Sequence, residues 1–159
     1  MADIEVKMGN IAVTKAGDNL VASGIGSCLV ITLYDPKLKT GGLAHAMLSP
    51  HPRAGADSQI VPKSNEGGDT KYVHTAINQM LQLMEAEGAK REDIEAKLIG
   101  GANVFSAFES DIGKRNVLSA KEKLKEERVK LVGEVVGGSQ GRSVEFSVAS
   151  GIVTVKTKF

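Results

Sequence analysis

One cysteine in 159 residues rules out an internal disulfide, and with only three histidines and no Cys-x-x-Cys pair the chain lacks a ligand set for a structural metal. Tryptophan is absent. Two tyrosines and four phenylalanines are too few for a row of stacking platforms on single-stranded bases. Charge of one sign is also missing: 20 Lys and Arg stand against 19 Asp and Glu, so no basic field exists to hold a phosphate backbone, and nucleic acid is not expected as a partner. No apolar run approaches the roughly 18 residues of a membrane span. The start, from Met1 to Lys7, alternates polar and apolar where a signal peptide is continuously apolar, so the expected location is the cytoplasm, without membrane insertion.

What the chain does contain is ordinary for a globular protein. Its 42% hydrophobic and 25% charged content, over a length suited to one core, predicts a single domain across residues 1–159. Alternation at Ile4, Val6 and Met8 and again from Ile11 to Val13 predicts strands, followed by the turn-forming Ala16 to Asn19. Leu20 to Ser23 lead into a glycine turn at Gly24-Ile25-Gly26. Residues 28–34 are short and rich in β-branched side chains, which reads as a buried strand closed by Asp35-Pro36. A further strand is expected over residues 41–48. Residues 51–69 have no period and carry Pro52, Gly55, Pro62, Gly67 and Gly68, the pattern of a long loop. Asp69 or Thr70 is placed to cap a helix whose apolar stripe is Val73, Ala76, Ile77, Met80, Leu81 and Met84. A strand over 94–99, a charged helix over 116–128 and strands over 129–136, 143–149 and 152–158 complete the chain, the last two joined by a hairpin at Ser150-Gly151. Strands joined directly to one another, with two main helices, define a mixed α/β (α+β) class rather than a βαβ repeat.

Chemistry concentrates at Cys28 and His45. If the strands around Asp35 to Leu38 form a hairpin centred on Pro36 and Lys37, these two residues face each other. A two-residue slip leaves them diagonal on one face, and a one-residue slip separates them. An imidazole beside a thiol can take its proton and make a nucleophile. Gly26 and Ser27, just before Cys28, let backbone approach a substrate and offer amides for an oxyanion. The bland alternative stays open at this point, since a lone cysteine on an apolar strand is commonly a small buried hydrophobe and His45 lies among Leu43, Ala44, Ala46 and Met47. His51 and His74 read as solvent-exposed. No dinucleotide fingerprint, serine elbow or P-loop is present, and no cofactor is called for.

The segments Gly24-Ile-Gly-Ser-Cys28, Gly42-Leu-Ala-His45-Ala-Met-Leu48, Gly100-Gly-Ala-Asn-Val-Phe105, Ile112-Gly-Lys-Arg-Asn116 and Gly137-Gly138 to Phe146, in this order, resemble the chemoreceptor glutamine deamidase family, CheD. The resemblance implies a three-layer fold related to bacterial deamidating toxins. It implies a cysteine and histidine at Cys28 and His45, acting on glutamines of methyl-accepting chemotaxis receptors. It also implies hydrolysis of receptor glutamyl methyl esters and binding to the CheY-phosphate phosphatase CheC. Phe105 would be a partner-binding residue if exposed. The chain departs from the family at Ala22, where relatives commonly carry a threonine completing a triad, and at His74, where an acidic or amide residue is common. Ser23, the neighbouring hydroxyl, would point the opposite way in a strand. The departure at Ala22 motivates the rival expectation of a non-catalytic adaptor for receptors or CheC.

Overall fold

The computed structural model describes residues 2–49, 69–104 and 111–158. Among the described residues nine strands form two sheets. One has the order β1 (Asp3–Glu5), β3 (Asn19–Ile25), β8 (Gly141–Ser147), β9 (Val153–Lys158); the other runs β2 (Ile11–Lys15), β5 (Thr40–Ala46), β4 (Leu29–Asp35), β6 (Glu95–Gly100), β7 (Lys130–Val136). Helices α1 (Val73–Ala86) and α2 (Ile112–Glu126) cover the outer face of the five-stranded sheet, giving the expected three layers of helix, sheet and sheet.

The central strand β4 explains the layering. Alternation sends Leu29, Ile31 and Leu33 to the helical side, where they meet Val73, Ile77, Met80 and Met84 of α1. Val30 points the other way, into a second core with Leu20, Ala22, Ile25, Leu43 and Phe146 between the sheets. A strand with apolar neighbours on both faces reads as a continuous hydrophobic run, which is what made it legible. Gly41 lets the sheets close, because a Cβ there would stand 2.8 Å from the Phe146 ring. That ring packs edge-on against Tyr34, centroids 5.7 Å apart.

Several details differ from expectation. Gly24 and Ile25 belong to β3, whose register slips between Ala22 and Ile25 where Gly24 takes φ +67°. Neither Asp69 nor Thr70 caps α1; its first flanking residue is Tyr72, without a side-chain cap, and Thr70 instead donates its hydroxyl to the Gly9 carbonyl. Helix α2 starts at Ile112, four residues before the expected Asn116, because Gly113 brings its first turn onto the backbone of Gly101 and Ala102. The turn between β8 and β9 spans residues 148–152, closed by the Ser147 amide donating to the Ile152 carbonyl, and is wider than Ser150-Gly151 alone.

Candidate active site

The β4–β5 hairpin pairs Val30 with His45 and ends at Leu29 with Ala46, so Cys28 lies one residue before the ladder. The register is therefore two residues away from direct Cys28–His45 pairing. The slip is even, which continued strand alternation would resolve as diagonal neighbours on one face; Cys28 lies in the bend just before β4, and no hydrogen bond joins its thiol to His45 Nε2. The shift arises because the turn is centred one residue later, on Lys37 and Leu38, whose amides donate to the Asp35 carboxylate at 2.9 and 3.2 Å.

His45 is 2% exposed and held from both directions. Its amide donates to the Asn10 carbonyl at 3.0 Å, and its carbonyl accepts from the Gly9 amide at 2.7 Å. The ring Nδ1 lies 3.2 Å from the Val6 carbonyl, an acceptor that makes Nδ1 the protonated nitrogen. Nε2 is then an unprotonated base, buried and without a partner among the described residues. A buried acceptor left without a partner ordinarily costs about 1–3 kcal/mol, and His74 Nε2 stands in the same position among the described residues. Burial pushes the imidazole below its usual pKa, with the Val6 contact opposing in part. Burial also pushes the Cys28 thiol up, opposed by its own backbone amide. Both shifts favour a resting pair of neutral thiol and neutral imidazole, and the proton moves only when something stabilises the thiolate.

Ala22 is buried between the sheets with Val30 and Leu43, on the side to which His45 belongs, while Ser23 is exposed on the outer face as strand alternation requires. The Val6 carbonyl occupies the ring nitrogen that a side-chain hydroxyl would otherwise orient.

Glycine-rich segments gather around Cys28. Its carbonyl accepts from the Gly101 amide at 2.8 Å, and the Gly26 carbonyl accepts from the Ala102 amide at 2.9 Å. Gly100 has φ +117°, and a Cβ there would run into the Cys28 carbonyl. The Gly137 amide donates to the Gly100 carbonyl, and the buried Arg142 guanidinium ties both glycines by donating to their carbonyls at 3.3 and 2.9 Å. In the fold Gly100 and Gly101 lie against the Cys28 backbone, with Gly137 tied behind them. Asn116 lies here too, with Nδ2 donating to the Ser27 and Met47 carbonyls. Its segment carried the family resemblance, yet nothing in the sequence pattern linked it to Cys28. Phe105 and His51 lie outside the described residues. His74, expected at the surface, is partly buried on α1 facing α2, and its Nε2 is buried without a partner among the described residues.

A three-layer α+β domain with one buried cysteine beside glycine turns and a fixed, half-satisfied histidine defines the class. By sequence comparison the chain belongs to the CheD family, described as CheD chemotactic sensory transduction, whose profile matches residues 56–157. That span excludes Cys28 and His45, but full-length relatives cover them. The chain is 37% identical, over 97% of its length and 93% of the relative's, to a chemoreceptor glutamine deamidase CheD of Halalkalibacterium halodurans. It is 36% identical to the protein of that name from Thermotoga maritima, over 95% and 89% of the two chains. It is 38% identical to a probable chemoreceptor glutamine deamidase CheD of Pyrococcus abyssi, over 97% and 91%. Among the described residues no helix is long and apolar enough to cross a membrane.

Proposed function

We propose that this chain, acting as one cytoplasmic domain, deamidates selected glutamines of chemoreceptors, with Cys28 as nucleophile and His45 as base. The observation that carries the reading is His45 itself: one ring nitrogen anchored on the Val6 carbonyl, the other buried, unprotonated and unpaired among the described residues, on the strand paired with the one that Cys28 leads into. Nε2 takes the thiol proton as sulfur attacks the carbon of the glutamine carboxamide. The tetrahedral oxyanion is held by backbone amides of the Gly26-Ser27 turn, donors that typically supply about 3–4 kcal/mol each. The proton passes from His45 to the leaving nitrogen, the C–N bond breaks, and ammonia departs. Water, deprotonated by the same nitrogen, then hydrolyses the thioester to glutamate and restores the thiol. The same attack on a glutamyl methyl ester expels methanol, which accounts for the methylesterase activity that the family resemblance implies. Binding to CheC belongs to the same proposal.

The adaptor reading has one feature in its favour, Ala22 in the place of the family threonine. The Val6 contact answers it, because an imidazole oriented by a carbonyl needs no hydroxyl. Acid-quenching the protein with a chemoreceptor cytoplasmic fragment tests the chemistry. A covalent one-to-one complex through Cys28, cleaved by hydroxylamine, is expected. Binding of the fragment with no covalent complex, in a protein that leaves the glutamines intact, supports the adaptor instead.

A further inference from the structure

The β4–β5 ladder makes its last pair at Leu29 and Ala46, and beyond it the two strands take different partners. The Cys28 carbonyl turns to the Gly101 amide, and the Met47 amide donates to the Lys71 carbonyl at 2.7 Å. No ladder bond therefore sets the spacing of the two segments at the level of the thiol. Asn116 of α2 spans that gap: its Nδ2 donates to the Ser27 carbonyl at 2.9 Å and to the Met47 carbonyl at 3.0 Å. A single planar NH2 group thus joins the residue before Cys28 to the residue that follows Ala46 at the end of the His45 strand.

Two further facts separate this from incidental packing. The side chain is fully buried, and its Oδ1 has no partner among the described residues, so its orientation is set by the two donated bonds alone. A buried amide with an unpaired oxygen is a poor choice for stability at a helix–sheet contact, where an apolar side chain of similar volume would leave no orphan. Helix α2 is also fixed against the segment after β6, since a Cβ on Gly113 would stand 2.6 Å from the backbone of Gly101 and Ala102. The donors at Asn116 accordingly sit at a set height over the strand ends.

We infer that Asn116 is a positioning residue, clamping the Cys28 segment to the His45 strand so that thiol and imidazole keep a fixed separation. The inference rests on Cys28 and His45 being the reacting pair. It predicts that removing the clamp uncouples them while leaving the substrate surface in place.

The test is alkylation of Cys28 by iodoacetamide across pH in the wild type, His45→Gln, Asn116→Ala and the double variant, with thermal melts to establish folding. His45→Gln is expected to slow alkylation on the order of tenfold in the wild type and less than about twofold in the Asn116→Ala background, the signature of a broken coupling. With receptor fragment as substrate, Asn116→Ala is expected to lower kcat at least about tenfold with KM nearly unchanged. Asn116→Ser keeps one donor and serves if the alanine variant does not fold; it should show an intermediate coupling. An equal His45→Gln effect in both backgrounds overturns the inference, as does a silent His45→Gln in the wild type, since no pair then exists to be held. A wild type that shows the coupling but leaves receptor glutamines unchanged refutes the deamidase reading alone.

Discussion

At the scale of single residues, the site combines a thiol made harder to ionise with an imidazole made harder to protonate. The sign of the pH dependence follows. His45 must be neutral to act as base, and its pKa lies below the ordinary value, so the acid limb of kcat/KM should fall below about pH 6.5. A pH–rate profile with its acid midpoint above that value would remove His45 from the base role. His45→Gln should lower kcat by about 10²–10⁴-fold without unfolding the protein, measured by ammonia release beside a thermal melt. Because Nδ1 already bonds the Val6 carbonyl, Ala22→Thr should change kcat by less than about threefold, whereas a tenfold gain would show that Val6 is an inadequate substitute. Cys28 and His45 could be proposed from the sequence because thiol and imidazole lie at the ends of neighbouring segments joined by one turn. Val6 and Asn116 could not, since a backbone carbonyl has no side-chain signature and Asn116 reaches Ser27 across 89 residues of chain.

At the scale of elements, the strands and α1 could be read because each has apolar residues at its own period, and the stripe from Val73 to Met84 is buried as its spacing requires. Helix α2 was read short at its start, since its buried face includes Gly113, Asn116, Ser119 and Lys123, polar or side-chain-free positions that interrupt an apolar period. Lys123 is tolerated there because it pairs with Glu127 at 2.9 Å, and Glu127 also receives Arg91 at 2.6 Å. The two-residue error in hairpin register has a similar origin, for the turn is fixed by the Asp35 carboxylate and not by Pro36. Close contact of α2 with Gly101 gives a direct expectation. Gly113→Ala must push the helix off Gly101 and Ala102, costing about 1–3 kcal/mol and shifting Asn116 with it. Melting should drop by about 3–10 °C, with a loss of kcat measured on the folded protein below the transition. An unchanged melt and unchanged kcat would mean that α2 is not held at this contact.

At the scale of the whole molecule, two cores on opposite faces of one sheet hold the site at their common edge, the helical core below Leu29 and the inter-sheet core behind Val30. Stability should carry a mark of the buried imidazoles. The pKa of His74 is lowered chiefly by burial and then by Lys123, against Glu126, Ser119 and Glu122, and that of His45 is lowered by burial. Below about pH 6.5 the unfolded chain takes up protons that the folded one refuses, so stability falls as pH drops through that window. His74→Gln should flatten the decline, as read from melts between about pH 7 and pH 5.5. The three-layer class was legible from the order of strands and helices, whereas the assignment of strands to two sheets depends on pairings such as β1 with β3 and β3 with β8 that no local pattern announces. Function joins these scales in one measurement, peptide-level mass spectrometry of a chemoreceptor cytoplasmic fragment incubated with wild type, Cys28→Ala and His45→Gln. Amide-to-acid conversion at specific glutamines is predicted with the wild type, none with Cys28→Ala and a much slower rate with His45→Gln. The same glutamates appearing at an undiminished rate with Cys28→Ala would contradict the account.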